Sequence, residues 1–354
     1  METGGNLSVG TFVVVSVIKI VVAMVGLLTV VAYAVWLERK VVGHIQNRWG
    51  PTRVGPFGLL QPLADGLKIM FKEDLTPPYV NKALYLAAPI LSLTLALTSI
   101  SLIPLGPAIN ALGIKTPIQI TDTNVSLLII LGITSLSVYG VALAGWSSNS
   151  KYSLLGSLRA SAQMVSYEIA LGLSLVGVLL VSGTFSLSGI VQSQHAYWLG
   201  WIPKWNIFRG QIVAFFIYLM AAYAETNRIP FDLPEAETEL VAGYHTEYSS
   251  MKFAMFFMSE YANMVTVACL ASILFLGGWQ GPTFEGLVPG FVSAILPVFW
   301  FFLRVFGFLF LYIWIRGTLP RFRYDQLMAF GWKVLLPLAV ANTVITSLFV
   351  ALQS

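Results

Sequence analysis

Six acidic residues, Glu225, Asp232, Glu235, Glu237, Glu239 and Glu247, fall in one short stretch whose only Lys or Arg is Arg228. They are six of the sixteen acids in the chain. Carboxylates crowded together share charge badly, so some of them hold protons near neutrality. Two more, Glu168 and Glu260, interrupt otherwise apolar runs, as do Arg304 and Lys19. An ionisable group at bilayer depth costs roughly 2.5–3.5 kcal/mol on insertion scales. Such groups therefore face a protein interior or a wet cavity and mark ion or proton paths. An acidic loop that continues into buried carboxylates reads as a proton or cation pathway. The alternative is a polar network that only holds structure. For Lys19 the plain reading is a side chain snorkelling outward, and for Arg304 it is a pair with a buried glutamate.

Other chemistries lack their residues. One cysteine, Cys269, excludes an intrachain disulfide and an all-cysteine iron–sulfur cluster. The histidines, His44, His195 and His245, are scattered, with no two at helical spacing. The expectation is a chain that binds no metal, haem or other cofactor by itself. If electrons move near it, another protein of the same assembly carries them.

The elements that position these charges are membrane helices. Only 10% of the residues are charged and 57% are hydrophobic, against about 25% charged in a soluble domain. The expected fold is all-α, a polytopic helix bundle forming one integral membrane domain over 1–354. Eight spans are expected, at about 12–37, 84–105, 125–145, 164–183, 207–229, 254–276, 291–315 and 332–352, each near the roughly 20 residues a bilayer requires. The first residues lack a basic stretch and a cleavage site, so the first run is expected to remain as a helix rather than leave as a signal peptide.

Fifteen of the twenty basic residues fall in loops on one side of this bundle, Arg39 to Lys82 foremost. The positive-inside rule puts that side in the cytoplasm, or in the matrix of a mitochondrion, with both termini on the opposite, periplasmic face. In this frame Glu168 lies about one turn past the inner end of the fourth span and Glu260 about two turns from the inner end of the sixth. The apolar part of the fifth span, Ile212 to Ala224, is too short to cross alone, so Glu225 must lie at or within the inner boundary. In the first inner loop, residues 58–72 place Leu59, Leu60, Leu63, Leu67, Met70 and Phe71 at i+3/i+4 spacing opposite Gln61, Asp65, Lys68 and Lys72. That is an amphipathic helix, lying on the membrane surface or packed on its own bundle.

The stretch from Gly43-His44-Ile45-Gln46-Asn47-Arg48-Trp49-Gly50-Pro51-Thr52-Arg53 to Leu60-Gln61-Pro62-Leu63-Ala64-Asp65-Gly66 resembles the first signature of one membrane-protein family of respiratory complex I. Its mitochondrial members are called NADH dehydrogenase subunit 1, and they have direct bacterial counterparts. Residues 230–243 resemble the second signature of that family, and 144–152, 159–168 and 224–228 also match. The resemblance covers essentially the whole chain. It implies the quinone-chamber subunit of a proton-pumping NADH:quinone oxidoreductase, which joins the hydrophilic electron-transfer arm to the membrane arm. Arg39, Asp65, Arg48 and Arg53 would line the quinone chamber, with the 58–72 helix at its gate. Glu168, Glu225 and Glu260 would form the proton path, and Arg228, Asp232, Glu235, Glu237 and Glu239 the loop beneath the chamber. No residue of this chain would be catalytic or hold a metal.

The substrate implied is a lipid quinone. FMN and iron–sulfur clusters would sit in partner subunits, the hydrophilic quinone-site subunits among them, and neighbouring membrane subunits would complete the complex. The setting implied is a bacterial inner membrane, or the mitochondrial one, with no nucleic-acid partner. Arg39 and Asp65 also have plainer readings, as a cation at a helix end and as a surface pair with Lys68. Rival functions are the homologous membrane subunit of a membrane-bound hydrogenase or formate hydrogenlyase, and a secondary ion transporter. The transporter predicts related halves with paired broken helices, and no internal repeat is visible.

Overall fold

Backbone inside a bilayer has to satisfy its own hydrogen bonds, which leaves the helix as the form for apolar runs of this length. The computed structural model describes residues 9–111, 114–198, 202–232, 242–282 and 290–353, and most of them are helical. The helices are α1 (Val9–Ile45), α2 (Gln61–Met70), α3 (Lys82–Ser99), α4 (Ser126–Ser147), α5 (Lys151–Ser182), α6 (Leu187–Ser193), α7 (Ile212–Glu225), α8 (Ser250–Phe275), α9 (Gly290–Thr318), α10 (Tyr324–Phe330) and α11 (Leu336–Gln353). A π-turn, Gly331–Leu335, joins the last two. Two short antiparallel hairpins close loops: β1 (Ile109–Ala111) on β2 (Ile114–Thr116), and β3 (Tyr197–Trp198) on β4 (Ile202–Pro203).

Seven helical segments among the described residues are long and apolar enough to cross a membrane. The chain is thus an all-α polytopic membrane bundle. α8 is the most buried of the seven and packs against α1, α3, α7 and α9. It is held to α3 by paired hydroxyls: Ser92 meets Ser259 at 2.8 Å and Ser99 meets Thr266 at 3.0 Å. Where helices pack in an apolar medium, such hydroxyl pairs supply polar glue that hydrophobic burial does not.

Two of the expected bounds differ in ways that matter. The fourth span, expected at 164–183, is the second half of α5, which already begins at Lys151. Glu168 therefore sits near the middle of its helix instead of one turn from its end. The fifth span, expected at 207–229, folds as the 14-residue α7. At 1.5 Å per residue it is about 21 Å long, short of the ~30 Å hydrocarbon core. Gly210 (φ +88°) stops the helix from starting earlier, and Asn227 (φ +49°) ends it in the left-handed region. α7 is nonetheless surrounded by protein, with Ala214, Ile217, Tyr218, Ala221 and Ala222 buried.

The expected amphipathic helix is present as α2, with Pro62 in its first turn and a 3₁₀ turn, Pro56–Gly58, before it. None of its residues is buried, and Leu63, Leu67 and Met70 are exposed. Its apolar side is not packed on its own bundle.

Candidate functional site

Because α7 is short, its C-terminal end stops inside the bundle, and its last carbonyls need partners there. Gln163 of α5, fully buried, supplies them. Its amide nitrogen lies 2.8 Å from the Ala224 carbonyl, 2.7 Å from the Phe231 carbonyl and 3.2 Å from Asn227 Oδ1. One side chain thus fixes both the end of the helix and the turn that follows. Glu225, the last residue of α7, lies within hydrogen-bonding reach of the Thr134 hydroxyl on α4 and within electrostatic reach of Glu168. The Ser135 hydroxyl, one residue along α4, donates to Glu168. Two of the three predicted proton-path carboxylates are therefore neighbours, each with a hydroxyl from the same helix.

The third, Glu260, belongs to a different group. The turn after α7 carries Arg228 into the interior, with only 5% of its side chain exposed. Its Nη1 lies 2.8 Å from Glu38 Oε2, its Nε lies 3.6 Å from Glu260, and its guanidinium stacks 3.9 Å from the Tyr261 ring centroid. The Tyr261 hydroxyl donates to the same Glu38 oxygen at 2.9 Å. Arg316, near the end of α9, pairs with the other Glu38 oxygen. Buried Asp232 pairs with Arg321 at 3.1 Å. Three cations, Arg228, Arg316 and Arg321, thus meet three anions, Glu38, Glu260 and Asp232. The ends of α1, α7 and α9 and the first part of α8 converge here, at one end of the bundle. A cavity of about 20 Å³ opens among Arg228, Asp232, Glu260 and Arg316, lined also by Asn227 and Phe257. That is room for one water.

At the same end lies the predicted gate. Arg39 is 2.6 Å from the Asp65 carboxylate, joining α1 to α2, and Lys68 and Gln61 reach Asp65 at 3.0 and 3.2 Å. The surface pair with Lys68 and the tie to Arg39 thus coexist on one carboxylate. Burial pushes the Asp65 carboxyl up, but the Lys68 hydrogen bond, the Arg39 charge and the Gln61 hydrogen bond outweigh it and hold the group below its ordinary value. A carboxylate depressed in this way keeps its ties at neutral pH and loses them only as pH falls through that lowered value. Arg39 is half exposed, so the α1–α2 bridge is worth at most about 1 kcal/mol.

Arg48 and Arg53 are exposed on the loop between α1 and α2, where Arg48 donates to Gln46 at 2.8 Å. Within this chain they do not join the buried cluster. Glu235, Glu237 and Glu239 lie outside the described residues. Among the described residues Arg304 pairs with no glutamate; it donates to the carbonyls of Gly278 and Gln280 and stacks 4.7 Å from the Trp205 ring centroid. Lys19 reaches the Gln119 carbonyl at 3.4 Å.

Sequence reasoning missed Glu38, Tyr261, Arg316 and Arg321 as members of the site. A signal existed for Glu38, the one acid between Glu2 and Asp65. Nothing local marked the other three.

A family model described as NADH dehydrogenase matches residues 18–347. The chain belongs to that family. A relative from Koribacter versatilis, named as a subunit of NADH-quinone oxidoreductase, is 68% identical over 98% of this chain and 99% of its own length. A Geobacter sulfurreducens relative, named as the same NADH-quinone oxidoreductase component, is 50% identical over 96% of this chain and 95% of its own. The region matched by the family model takes in α2, the end of α7 and the first part of α8, so every member of the charge cluster lies within it.

The cluster predicts a stability effect. Removing one partner of a buried ion pair leaves an uncompensated charge and costs about 3–5 kcal/mol. Glu38→Ala, which strands two arginines, should lower the thermal midpoint of the purified protein and its yield far more than Arg39→Ala, whose bridge is half exposed. Equal effects in a thermal-shift comparison would show that Glu38 is not the centre of the cluster.

Proposed function

We propose that this chain is the quinone-chamber subunit of a proton-pumping NADH:quinone oxidoreductase, and that it links quinone reduction to proton translocation through buried carboxylates. The observation behind this reading is that two groups of carboxylates lie within one membrane bundle and are joined by the turn that ends α7. Glu225 and Glu168 form one, and the Glu38–Arg228–Glu260 cluster, three residues along the chain from Glu225, forms the other. The names of the relatives, all quinone oxidoreductase subunits, point to the same enzyme and away from a hydrogenase or an ion transporter. The substrate is a lipid quinone. FMN and iron–sulfur clusters belong to partner subunits, which this chain contacts on its charged side along with neighbouring membrane subunits. The setting is a bacterial inner membrane.

In this reading, quinone enters beside α2, whose exposed Leu63, Leu67 and Met70 suit a lipid tail, past Arg39 and Asp65. Arg48 and Arg53, on the adjoining loop, face the entry or the hydrophilic arm. Quinone reduction beneath the bundle changes the charge near Arg228, which holds Glu38 and Glu260 at once. A shift in that balance changes which carboxylate keeps a proton, and the Glu225–Glu168 pair passes the change inward. Asp232, with Glu235, Glu237 and Glu239 after it, supplies the acidic approach to the pair.

The eight-crossing topology follows if α7, short as it is, completes a crossing with its flanking turns. Both termini then face the periplasm. Tags at either terminus should be reachable only from outside the inner membrane, and a tag at Ser150 only from the cytoplasm. Termini on opposite faces would show that α7 does not cross.

For the entry, Arg39→Ala and Asp65→Ala should each weaken quinone reductase activity by about fivefold, the worth of a roughly 1 kcal/mol contact. Electron transfer from NADH to a water-soluble artificial acceptor should persist, since it needs only the hydrophilic arm. A parallel fall in both rates would mean that the substitutions disturb assembly and not the entry.

For the proton path, glutamine keeps shape and hydrogen-bonding capacity but removes the titratable proton. Glu225→Gln and Glu260→Gln should assemble, keep the artificial-acceptor rate, and lose quinone-coupled turnover together with proton pumping in sealed vesicles. Normal turnover and normal pumping in both variants would leave these carboxylates a structural role only.

A further inference from the structure

α2 is a helix with little to hold it. It has ten residues and buries none of them, while helices shorter than about 12–15 residues are marginal without tertiary packing. Its last carbonyls also lack intrahelical partners. Its placement must therefore come from polar ties, and the Arg39–Asp65 bridge holds only its first half, against α1.

The second half is tied to the start of α8. The Ser250 hydroxyl lies 3.0 Å from the Ile69 carbonyl and 3.0 Å from the Lys72 carbonyl, capping the end of α2 from another helix. The Ser249 hydroxyl accepts from the Leu75 amide at 3.0 Å. Lys252, a buried lysine, sits 3.0 Å from the Asp74 carboxylate, donates to the Thr76 hydroxyl at 2.6 Å and lies 5.1 Å from the Tyr85 ring centroid. Further along the same segment, the Tyr79 hydroxyl donates to Glu247 at 3.0 Å. Lysine is almost never fully buried unless paired, and here its ionic and hydrogen-bonding partners, Asp74 and Thr76, both belong to the segment that follows α2. Ser250 itself adopts φ +51°, the left-handed region a serine rarely enters. That conformation goes with the contacts its hydroxyl makes.

We propose that Ser250 and Lys252 are positioning residues that strap α2 to α8 and thereby set the quinone entry. The kinetic part of this inference rests on the reading of α2 as the entry helix. α8 is a firm anchor, since it is the most buried spanning helix, and the same helix presents Glu260 and Tyr261 to Arg228. α1 contributes Glu38 to that cluster and, one residue later, Arg39 to Asp65. α2 thus hangs between the two helices that grip Arg228, tied to α1 one residue from Glu38 and to α8 at its first turn, well before Glu260. With the strap cut, α2 keeps one weak tie and should move away from the place where a quinone tail has to pass.

The test uses the assembled enzyme. Ser250→Gly removes the hydroxyl while suiting φ +51° better than serine, and Lys252→Met removes the charge while keeping the length of the side chain. Each should speed amide hydrogen exchange across residues 61–72 by about fivefold and raise KM for a long-tailed quinone several-fold, with kcat little changed and the artificial-acceptor rate intact. Lys252→Arg, which keeps the charge, should restore both readouts. Asp74→Asn cuts the same pair from its half-exposed side and serves where Lys252→Met fails to assemble. Unchanged exchange in these variants would overturn the strap. Faster exchange with unchanged KM would leave the strap standing and overturn the entry reading of α2 instead.

Discussion

An arginine taken out of water has to be met by opposite charge and acceptors, and the site is organised around meeting Arg228. Its side chain is 5% exposed, and the effective penalty for burying such an ion is several kcal/mol. Glu38 is its direct partner, Glu260 stands on its other side, and the Tyr261 ring covers its face. Each of these comes from a different position along α1 or α8. Both helices are therefore fixed in rotation and height by the need to aim these groups at one guanidinium. Glu38 in turn receives Arg316, so α9 is fixed by the same requirement. The balance of three cations with three anions keeps the group from carrying a net buried charge, which is the condition under which an ionic cluster can be tolerated in an apolar bundle.

Arg228 reaches that position only because α7 ends early. A full-length crossing helix would bury its own carbonyls in i→i−4 bonds and continue to the surface. α7 instead stops after fourteen residues, and the turn at 226–232 runs through protein. Irregular backbone at this depth is tolerated where protein surrounds it, and Gln163 makes it so by bonding carbonyls on both sides of the turn. The early end also sets Glu225 opposite the middle of α5, beside Glu168, and not at the rim of the bundle. One truncated helix thus accounts both for the carboxylate pair and for the buried arginine.

Much of this was legible in the sequence, for definite reasons. Apolar runs of bilayer length announce helices whatever their neighbours. Glu168, Glu225, Glu260 and Arg228 stand out because charge in such runs is costly. The shortness of the apolar stretch Ile212 to Ala224 pointed to the unusual fifth span, though not to its bounds, which depend on left-handed backbone at Gly210 and Asn227. What stayed hidden was pairing. Glu38 and Arg228 are 190 residues apart, and no periodicity relates them. Arg316 and Arg321 read as ordinary inner-loop cations because the positive-inside rule already accounts for basic residues there. For Arg304 the sequence suggested a buried glutamate, and among the described residues its partners are the Gly278 and Gln280 carbonyls just past α8, which no charge pattern announces.

The site joins two parts of unequal stiffness. The Arg228 cluster is a set of charge pairs centred on a buried arginine, so removing one partner leaves a charge without its counterion. α2 is the reverse: no buried residue, a half-exposed bridge on one side and hydroxyl and lysine ties on the other. Surface bridges of this kind are worth about 0–1 kcal/mol each, small enough to open and close on thermal fluctuation. The chamber proposed for a long apolar substrate needs both properties at once. Its charged end must hold geometry while protons are exchanged, and its apolar side must give way to admit a tail. The sequence supplies the first with acids and arginines set into spanning helices, and the second with a ten-residue helix whose leucines are left uncovered.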